Sequence, residues 1–245
     1  MEESQQMSIL VWLAAFVITV GAASVQGAAG VGFAMVSIPL LTLIDPRLTP
    51  IPQLIIVLPM TISMAWRERK GMDLHGIGWI IVGRFPGLLL GVALLAVATQ
   101  IVLDTFIAIV VLLAVAAIGT GYKVHRTSLT KFLAGVAAGI TGIVASIGGP
   151  PVALIYSDEE ARTIRPTLAA IFTIGVSLSL LGRVAIGDVG RADLIVSAVL
   201  LPAVLIGYAI ARRYQDKLPP GAAKVTILIV SAVASVALLL RAWVL

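Results

Sequence analysis

The chain has 245 residues, of which 60% are hydrophobic and only 12% are charged, and its mean hydropathy is +1.09. Soluble domains carry roughly 25% charged residues, so this composition excludes an ordinary water-soluble fold and indicates an integral membrane protein. The absence of cysteine excludes disulfides, thiolate catalysis and cysteine metal sites. The net charge of +5 lies in short clusters at the ends of apolar segments, which is typical of membrane topology rather than nucleic-acid binding.

Ten apolar segments are predicted along the chain. In the first half they cover residues 8–26, 31–44, 50–66, 76–98 and 102–121, and in the second half 131–147, 150–157, 164–182, 194–211 and 222–244. A full helical crossing needs about 20 residues, so 31–44 and 150–157 are too short to cross. We predict that each is one arm of a hairpin or broken helix. Its backbone must then line a cavity walled by protein, because unpaired backbone groups cannot face lipid.

Glycine and proline recur at matching places in the two halves. The run from Gly27-x-x-Gly30 to Pro39 has the same twelve-residue spacing as the run from Gly139-x-x-Gly142 to Pro151. Five positions recur 116 residues later, namely Pro50, Arg67, Gly71, Pro86 and Gly91 as Pro166, Arg183, Gly187, Pro202 and Gly207. Gly and Pro constrain the backbone, so we predict two transmembrane repeats, residues 1–121 and 128–245. Matching interruptions of this kind point to a secondary transporter.

The basic residues test the hairpin interpretation. If each Gly-rich hairpin returns to its starting side, the loops at 67–75, 123–131, 158–165 and 212–224 share one face with twelve basic residues, and the other face has four. If each hairpin were a single crossing, the same sixteen residues would divide nine to seven. The positive-inside rule favours the first arrangement, which predicts inverted repeats with both termini outside. The alternative is that the loop charges carry no topological information.

Arg84 is the one basic residue that this pattern places well inside a span. It lies about eight residues into the segment that begins near Gly76, roughly 12 Å deep at 1.5 Å per residue. A charge at that depth costs on the order of 2.5–3.5 kcal/mol, so Arg84 should face a cavity, a partner or an anion. Two alternatives stay open: the side chain snorkels to the membrane edge, or it caps carbonyls that Pro86 leaves free.

The two Gly/Pro-rich interruptions are the candidate substrate-binding segments. A helix that restarts after a break directs N–H groups and a positive dipole end at the gap, which forms an anion site. Together with Arg84, the candidate residues are Gln26, Gly27, Gly30, Gly32, Phe33, Ser37 and Pro39 in the first interruption, and Thr141, Gly142, Ser146, Gly148, Gly149, Pro150 and Pro151 in the second. The competing interpretation is close helix packing at the Gly-x-x-Gly motifs, which does not account for the second Gly-Gly-Pro-Pro run.

Other polar residues within the spans are not assigned to a substrate. We expect them to bond within their own helices or across one helix interface; they are Gln53, Thr61, Ser63, Thr173, Ser177 and Ser179. No span has Asp or Glu near its middle, so intramembrane aspartyl proteolysis, a carboxylate proton relay and a carboxylate metal site all lack residues. The chain has no P-loop for ATP. Neither enzymatic activity nor a cofactor is predicted.

These motifs resemble those of the TauE/SafE family of sulfite exporters, also called the sulfonate permease family. The resemblance covers nearly the whole chain and rests on Gly27-Ala-Ala-Gly-Val-Gly-Phe-Ala with Pro39-Leu-Leu, and on Gly139-x-x-Gly142-x-x-x-Ser-Ile-Gly-Gly-Pro-Pro. Where many relatives have a third glycine, this chain has Gly148-Gly149-Pro150-Pro151. The resemblance implies transport of sulfite, sulfonates or related sulfur-containing anions across the bacterial inner membrane.

We therefore predict an all-α polytopic membrane protein that acts as a secondary transporter, with its substrate near the midplane between the two breaks and exposed alternately to each side. Export is favoured, because an inside-negative potential assists outward movement of an anion by about 2.3 kcal/mol per charge per 100 mV. The expected partners are the lipid bilayer and a small anion, without nucleic acid, and a homodimer is left open. The alternatives are an anion channel of the same architecture and a non-transport membrane subunit.

Overall fold

The computed structural model describes residues 7–121, 124–157, 159–214 and 221–244, so Lys123 and Lys217 of the basic loops lie outside the described residues. Within these ranges the protein is all-helical. The first half forms α1 (Ile9–Ala29), α2 (Phe33–Ile44), α3 (Ile51–Arg67), α4 (Ile77–Val97) and α5 (Gln100–Gly119). The second half forms α6 (Ser128–Ala145), α7 (Gly149–Ile155), α8 (Ala161–Ala185), α9 (Arg191–Tyr214) and α10 (Ala222–Val244). The predicted helical class is confirmed.

Eight of the described helices are long and apolar enough to cross a membrane, whereas α2 has 12 residues and α7 has 7. The helix ends differ by a few residues from the predicted spans. The predicted span at 164–182, for example, corresponds to α8, which begins at Ala161 and continues through Pro166. Prolines mark helix starts and kinks as well as breaks, so their positions in the sequence alone do not fix where a helix ends.

Contacts between loops define one end of the bundle. Arg126 lies just before α6, and its Nη2 donates to Oε1 of Glu159, just after α7, at 2.5 Å. Nη1 of Arg126 lies 3.8 Å from the carboxylate of Asp73, and Arg165 pairs with Glu68 at 2.9 Å. The residues just before α6 and just after α7 therefore lie side by side at one end of the bundle. We call this end the basic face; it is formed by the described residues of 67–76, 124–131 and 156–165, which include Arg67, Arg69, Lys70, Arg126, Lys131, Arg162 and Arg165.

The opposite end of the bundle is joined by Arg241, in the last turn of α10. Its Nη1 donates to the carbonyl oxygens of Thr42 and Leu43, at 2.7 and 3.0 Å. Its Nη2 lies 3.6 Å from the carboxylate of Asp104, near the start of α5, and that buried carboxylate also accepts from Gln100 at 2.7 Å. Helix α2 therefore ends beside the end of α10 and the start of α5, away from the basic face.

Two helix pairs approach each other through small residues. In the α4–α6 pair, a Cβ added to Gly87 would overlap the carbonyl oxygen of Val136 and lie 3.0 Å from the Cα of Gly139. In the α1–α9 pair, a Cβ added to Gly27 would lie 2.5 Å from the Cβ of Ala211. Such backbone proximity is typical of helix interfaces in membranes. The first glycine of each Gly-x-x-Gly motif is thus a packing glycine, as the competing interpretation expects.

Helices α3 and α8 occupy the centre of the bundle. They pack against each other, while α3 also contacts α9 and α8 also contacts α4 and α6. The segment Pro46–Arg67, which contains α3, is 56% buried, the largest share among the eight long spans. The two short helices, α2 and α7, bring their N-terminal ends toward this centre.

Candidate functional site

A cavity at the centre of the bundle is lined by both helix interruptions together with α3, α4 and α8. The space open to water-sized groups inside it is about 50 Å³. Since one water needs roughly 10–15 Å³ by this measure, about three to five water-sized groups fit. Among the described residues that line the cavity, Arg84 is the one ionisable side chain. The cavity therefore suits a small molecule and carries a single fixed charge.

Nine of the fifteen predicted site residues line this cavity, namely Gln26, Gly32, Phe33, Arg84, Gly142, Ser146, Gly148, Gly149 and Pro150. The structure does not place the other six in the cavity lining; they are Gly27, Gly30, Ser37, Pro39, Thr141 and Pro151. For two of these six residues, the local structure explains why they are not in the lining. Gly30 ends α1 in the left-handed region at φ 82, and the hydroxyl of Thr141 donates to the carbonyl of Ala137 in its own helix at 2.9 Å.

Gln26 organises the first interruption, between α1 and α2. Its backbone carbonyl accepts the N–H of Gly30 at 2.7 Å, and its side-chain Oε1 accepts the N–H of Phe33, the first residue of α2, at 3.1 Å. Gly32 between them has a φ of 121, which only glycine adopts readily. The N–H groups of Ala34 and Met35 fall in the first turn of α2, have no intrahelical partner by helix geometry, and belong to residues that line the cavity.

Ser146 organises the second interruption, between α6 and α7. It adopts the left-handed conformation at φ 60, which ends α6, and its N–H donates to the carbonyl of Gly142 at 3.0 Å. Its hydroxyl donates to the carbonyl of Pro50 at 2.8 Å and so ties the interruption to the start of α3. Pro150 stands in the first turn of α7, where a proline is tolerated because that N–H would be unpaired in any case.

Arg84 is buried, with 2% of its surface exposed, at the eighth position of α4. In the described ranges its Nε has no hydrogen-bond partner, and no carboxylate lies within 4.0 Å of the guanidinium. The guanidinium lies instead against the backbone of Gly142, Gly148 and Gly175. This environment fits neither alternative from the sequence, because the side chain is buried within the protein and no described carbonyl accepts a hydrogen bond from it.

Two further polar side chains line the cavity, although sequence analysis set them aside. The Oγ of Ser179 is buried and has no partner among the described residues. Gln53 donates from Nε2 to the carbonyl of Leu48 at 3.2 Å, and its buried Oε1 has no described partner. The expectation of bonding within their own helices or across one helix interface is not met by these two oxygens, whereas Thr61 does donate to Leu58 at 3.0 Å. No local pattern in the sequence marks Ser179, because its place beside the cavity follows from the packing of α8 on α4 and α6.

A second buried arginine stands beside the same helix junction. Arg183 is 5% exposed, and it donates from Nε to the carbonyl of Ile143 at 2.8 Å and from Nη2 to that of Val144 at 3.0 Å. Its Nη1 pairs with Asp188. These carbonyls belong to the last turn of α6, where no intrahelical N–H is available. Arg84 is therefore not the one buried arginine among the described residues. The predicted span ends at residue 182, just before Arg183, but in the structure Arg183 lies buried in the last turn of α8.

A second cavity, of about 370 Å³, lies beside the first interruption toward the basic face. Its lining includes Gly121 after α5, Ser157 after α7 and Lys224 at the start of α10. Val31 lines both this cavity and the central one. The two cavities therefore adjoin at the first interruption, where Val31 contributes to both linings.

Comparison with protein families gives a match over residues 15–238 to the family described as Sulfite exporter TauE/SafE. The matched range includes both interruptions and Arg84. Neither a curated protein nor a solved structure matches the chain significantly. The family match covers nearly the whole chain, and the resemblance drawn from the two Gly/Pro-rich motifs is confirmed. With its eight apolar spanning helices, the chain is a multi-pass membrane protein that belongs to the TauE/SafE family of sulfite exporters.

Proposed function

We propose that the chain is a secondary transporter that exports a small sulfur-containing anion, such as sulfite or an organosulfonate, across the bacterial inner membrane. The observation that carries this proposal is Arg84, a buried cation without a described counter-ion, beside a small central cavity. An unpaired charge in such surroundings is costly. An oxyanion in the cavity would supply the missing partner, and the planar fork of the guanidinium suits two oxygens of one anion.

The other polar groups around the cavity support an anion rather than a cation. The hydroxyl of Ser179 and the N–H groups of Ala34 and Met35 are donors, and they belong to residues that line the same cavity as Arg84. Gln53 is an exception, because its Nε2 donates to the carbonyl of Leu48 and its unpartnered Oε1 is an acceptor. No carboxylate stands among the described lining residues, and carboxylates are the groups that usually attract a cation in a site of this kind. The donor set thus complements an oxyanion of a few atoms.

In this proposal residues 1–121 and 128–245 are inverted repeats with re-entrant helices. Each helix of the first half then corresponds to the one five positions later, so that α1 matches α6 and α4 matches α9. The close packing of α4 against α6 and of α1 against α9 is what such a correspondence predicts. The contact between Arg126 and Glu159 supports a hairpin at α6–α7. The basic face is then cytoplasmic, and both termini lie outside.

Alternating access would use the two cavities in turn. Val31 lines both the central cavity and the space near the basic face, so in this proposal a displacement at the first interruption connects them. At the opposite face, Arg183 and Arg241 bond carbonyls at the ends of α6 and α2. These contacts would hold the outward side closed until α6 or α2 moves, which is the behaviour expected of a gated site between repeats.

The test is uptake into proteoliposomes from a panel of sulfite, thiosulfate, sulfate, sulfoacetate and taurine. We expect saturable uptake of one or more anions and stimulation by an unlabelled anion on the opposite side, with both lost in Arg84→Gln. Uptake that does not saturate and shows no counter-transport would instead establish the channel. Wild-type behaviour of Arg84→Gln would remove Arg84 from the site, and no uptake of any member of the panel would contradict the substrate class.

A further inference from the structure

Three glycines from separate segments surround the guanidinium of Arg84. A Cβ added to Gly148 would lie 3.2 Å from Nη2 of Arg84, and a Cβ added to Gly142 would lie 3.7 Å from Nη1. A Cβ added to Gly175 would overlap the guanidinium carbon and both terminal nitrogens, closer than real Cβ atoms approach such neighbours. Gly175 on α8 is therefore the position at which a larger residue must displace the charged head.

Neither backbone conformation nor helix contact accounts for glycine at position 175. The residue lies in the interior of α8 without a positive φ, and glycine in a helix interior costs roughly 1 kcal/mol relative to alanine. The three atoms nearest to an added Cβ all belong to the side chain of Arg84. At Gly83 and Gly87, by contrast, an added Cβ would meet backbone atoms of α6. At Gly175, the space that a side chain would need is taken by the guanidinium of Arg84.

We propose that Gly175 is a positioning residue that sets the place of the Arg84 guanidinium for anion recognition. The inference rests on the proposed function. Any Cβ moves the head by about 1 Å or more, and a misplacement of that size can cost about 100-fold. Ser179 lies one turn further along α8 and lines the same cavity with its buried hydroxyl. One face of α8 thus makes room for the guanidinium and presents a hydroxyl beside it.

A double-mutant cycle between Gly175→Ala and Arg84→Lys tests this role. The readout is the Kd of sulfite for the purified full chain in anoxic buffer. Gly175→Ala should raise the Kd by up to about 100-fold in the wild-type background, which is the cost of a misplacement of about 1 Å. In Arg84→Lys it should change the Kd less than about 3-fold, because the ammonium lacks the terminal nitrogens and its stem adjusts freely. Gly21→Ala is the matched control, since nothing lies within 4 Å of its added Cβ.

A second readout, the melting temperature, needs no anion. Gly175→Ala should lower it in the wild-type background but not in Arg84→Gln, whose side chain ends short of the overlap. If Gly175→Ala alone does not fold, monodisperse elution of the double variant with Arg84→Gln supports the proposal, and failure of both overturns it. The melting temperatures test the contact between Gly175 and Arg84 even if the wild-type protein binds no sulfite. Absence of sulfite binding would count only against sulfite as the substrate.

Equal losses of affinity in both backgrounds would assign Gly175 to general helix packing and overturn the positioning role. An unchanged Kd in Gly175→Ala would also overturn the positioning role. If Arg84→Gln weakens sulfite binding while Gly175→Ala does not, only this inference fails. If Arg84→Gln binds sulfite as tightly as wild type, the proposed site and the positioning role fail together.

Discussion

Arg84 and Arg183 are both buried, but their surroundings differ in kind. Arg183 donates to two carbonyls at the end of α6 and pairs with Asp188. Arg84 has no described hydrogen-bond acceptor and faces a cavity bordered by glycines. The two side chains are 2% and 5% exposed, so burial alone does not separate them. What separates them is whether the protein itself provides the partners of the guanidinium.

This difference distinguishes a structural arginine from a binding one. A buried charge that is fully hydrogen-bonded contributes to the folded state, and its removal leaves other groups unsatisfied. A buried charge without partners reduces stability unless something else binds it, which is typical of functional sites that are strained in the free protein. We therefore expect opposite signatures from the two arginines when affinity and stability are measured separately.

The largest expected effect follows from Arg84→Gln. Loss of charge-assisted hydrogen bonds, each contributing about 1.5–3 kcal/mol, should weaken anion affinity by about 100-fold or more. The melting temperature should stay the same or rise, because an unpaired charge leaves the core. The anion affinity of Arg84→Lys should lie between that of Arg84→Gln and that of wild type, since the ammonium keeps the charge but loses the planar fork. Full activity of the lysine variant would indicate that the fork is not used.

Gly148 tests whether the open backbone around Arg84 is needed. Gly148→Val should reduce transport by about 10-fold or more, because a misplaced guanidinium loses affinity steeply. An added Cβ there would lie 3.2 Å from Nη2 of Arg84 and 3.0 Å from the carbonyl of Ala138. Gly149→Val should act less directly, since its Cβ would meet Phe172 at 3.3 Å. Transport should be measured with folding checked by monodisperse elution; normal transport by both variants would make these glycines packing positions.

Arg183→Gln should show the reverse pattern. Leaving two buried carbonyls without donors should lower the free energy of unfolding by about 2–3 kcal/mol. Sulfite affinity of the folded fraction should stay within about 3-fold of wild type, because Arg183 is not among the residues that line the central cavity. Thermal melting and equilibrium binding on the same preparation would separate the two quantities. An affinity loss as large as that of Arg84→Gln would break the distinction between the two arginines.

The smallest expected effect on transport comes from two single cysteine substitutions that test the membrane topology. Met72 lies on the basic face, and Val189 follows Asp188, the partner of Arg183. Single cysteines at these positions should leave transport unchanged and should react with an impermeant maleimide from opposite sides of the membrane. The chain has no native cysteine to interfere. Reaction of both from the same side would contradict the inverted arrangement and place the two arginines differently with respect to the membrane.

The sequence predicted the fold better than the site. The ten apolar segments, the two short helices and the family follow from composition, length and Gly/Pro spacing, which act locally along the chain. Gly27 and Thr141 belong to the predicted interruptions but not to the cavity lining, because a motif does not show which face of a helix is turned inward. Gly175 meets Arg84, and Ser179 reaches the cavity, only through the packing of α8 on α4 and α6. No local signal in the sequence records that contact.

Val31 has an electrical consequence. If water fills the second cavity, the potential of the solution at the basic face extends inward as far as the first interruption, where Val31 stands. Most of the voltage across the membrane would then fall between the central cavity and the opposite face. An anion that reaches the central cavity would have crossed little of the field, and its exit would carry most of the charge movement, about 2.3 kcal/mol per charge per 100 mV. Voltage would act on release far more than on loading.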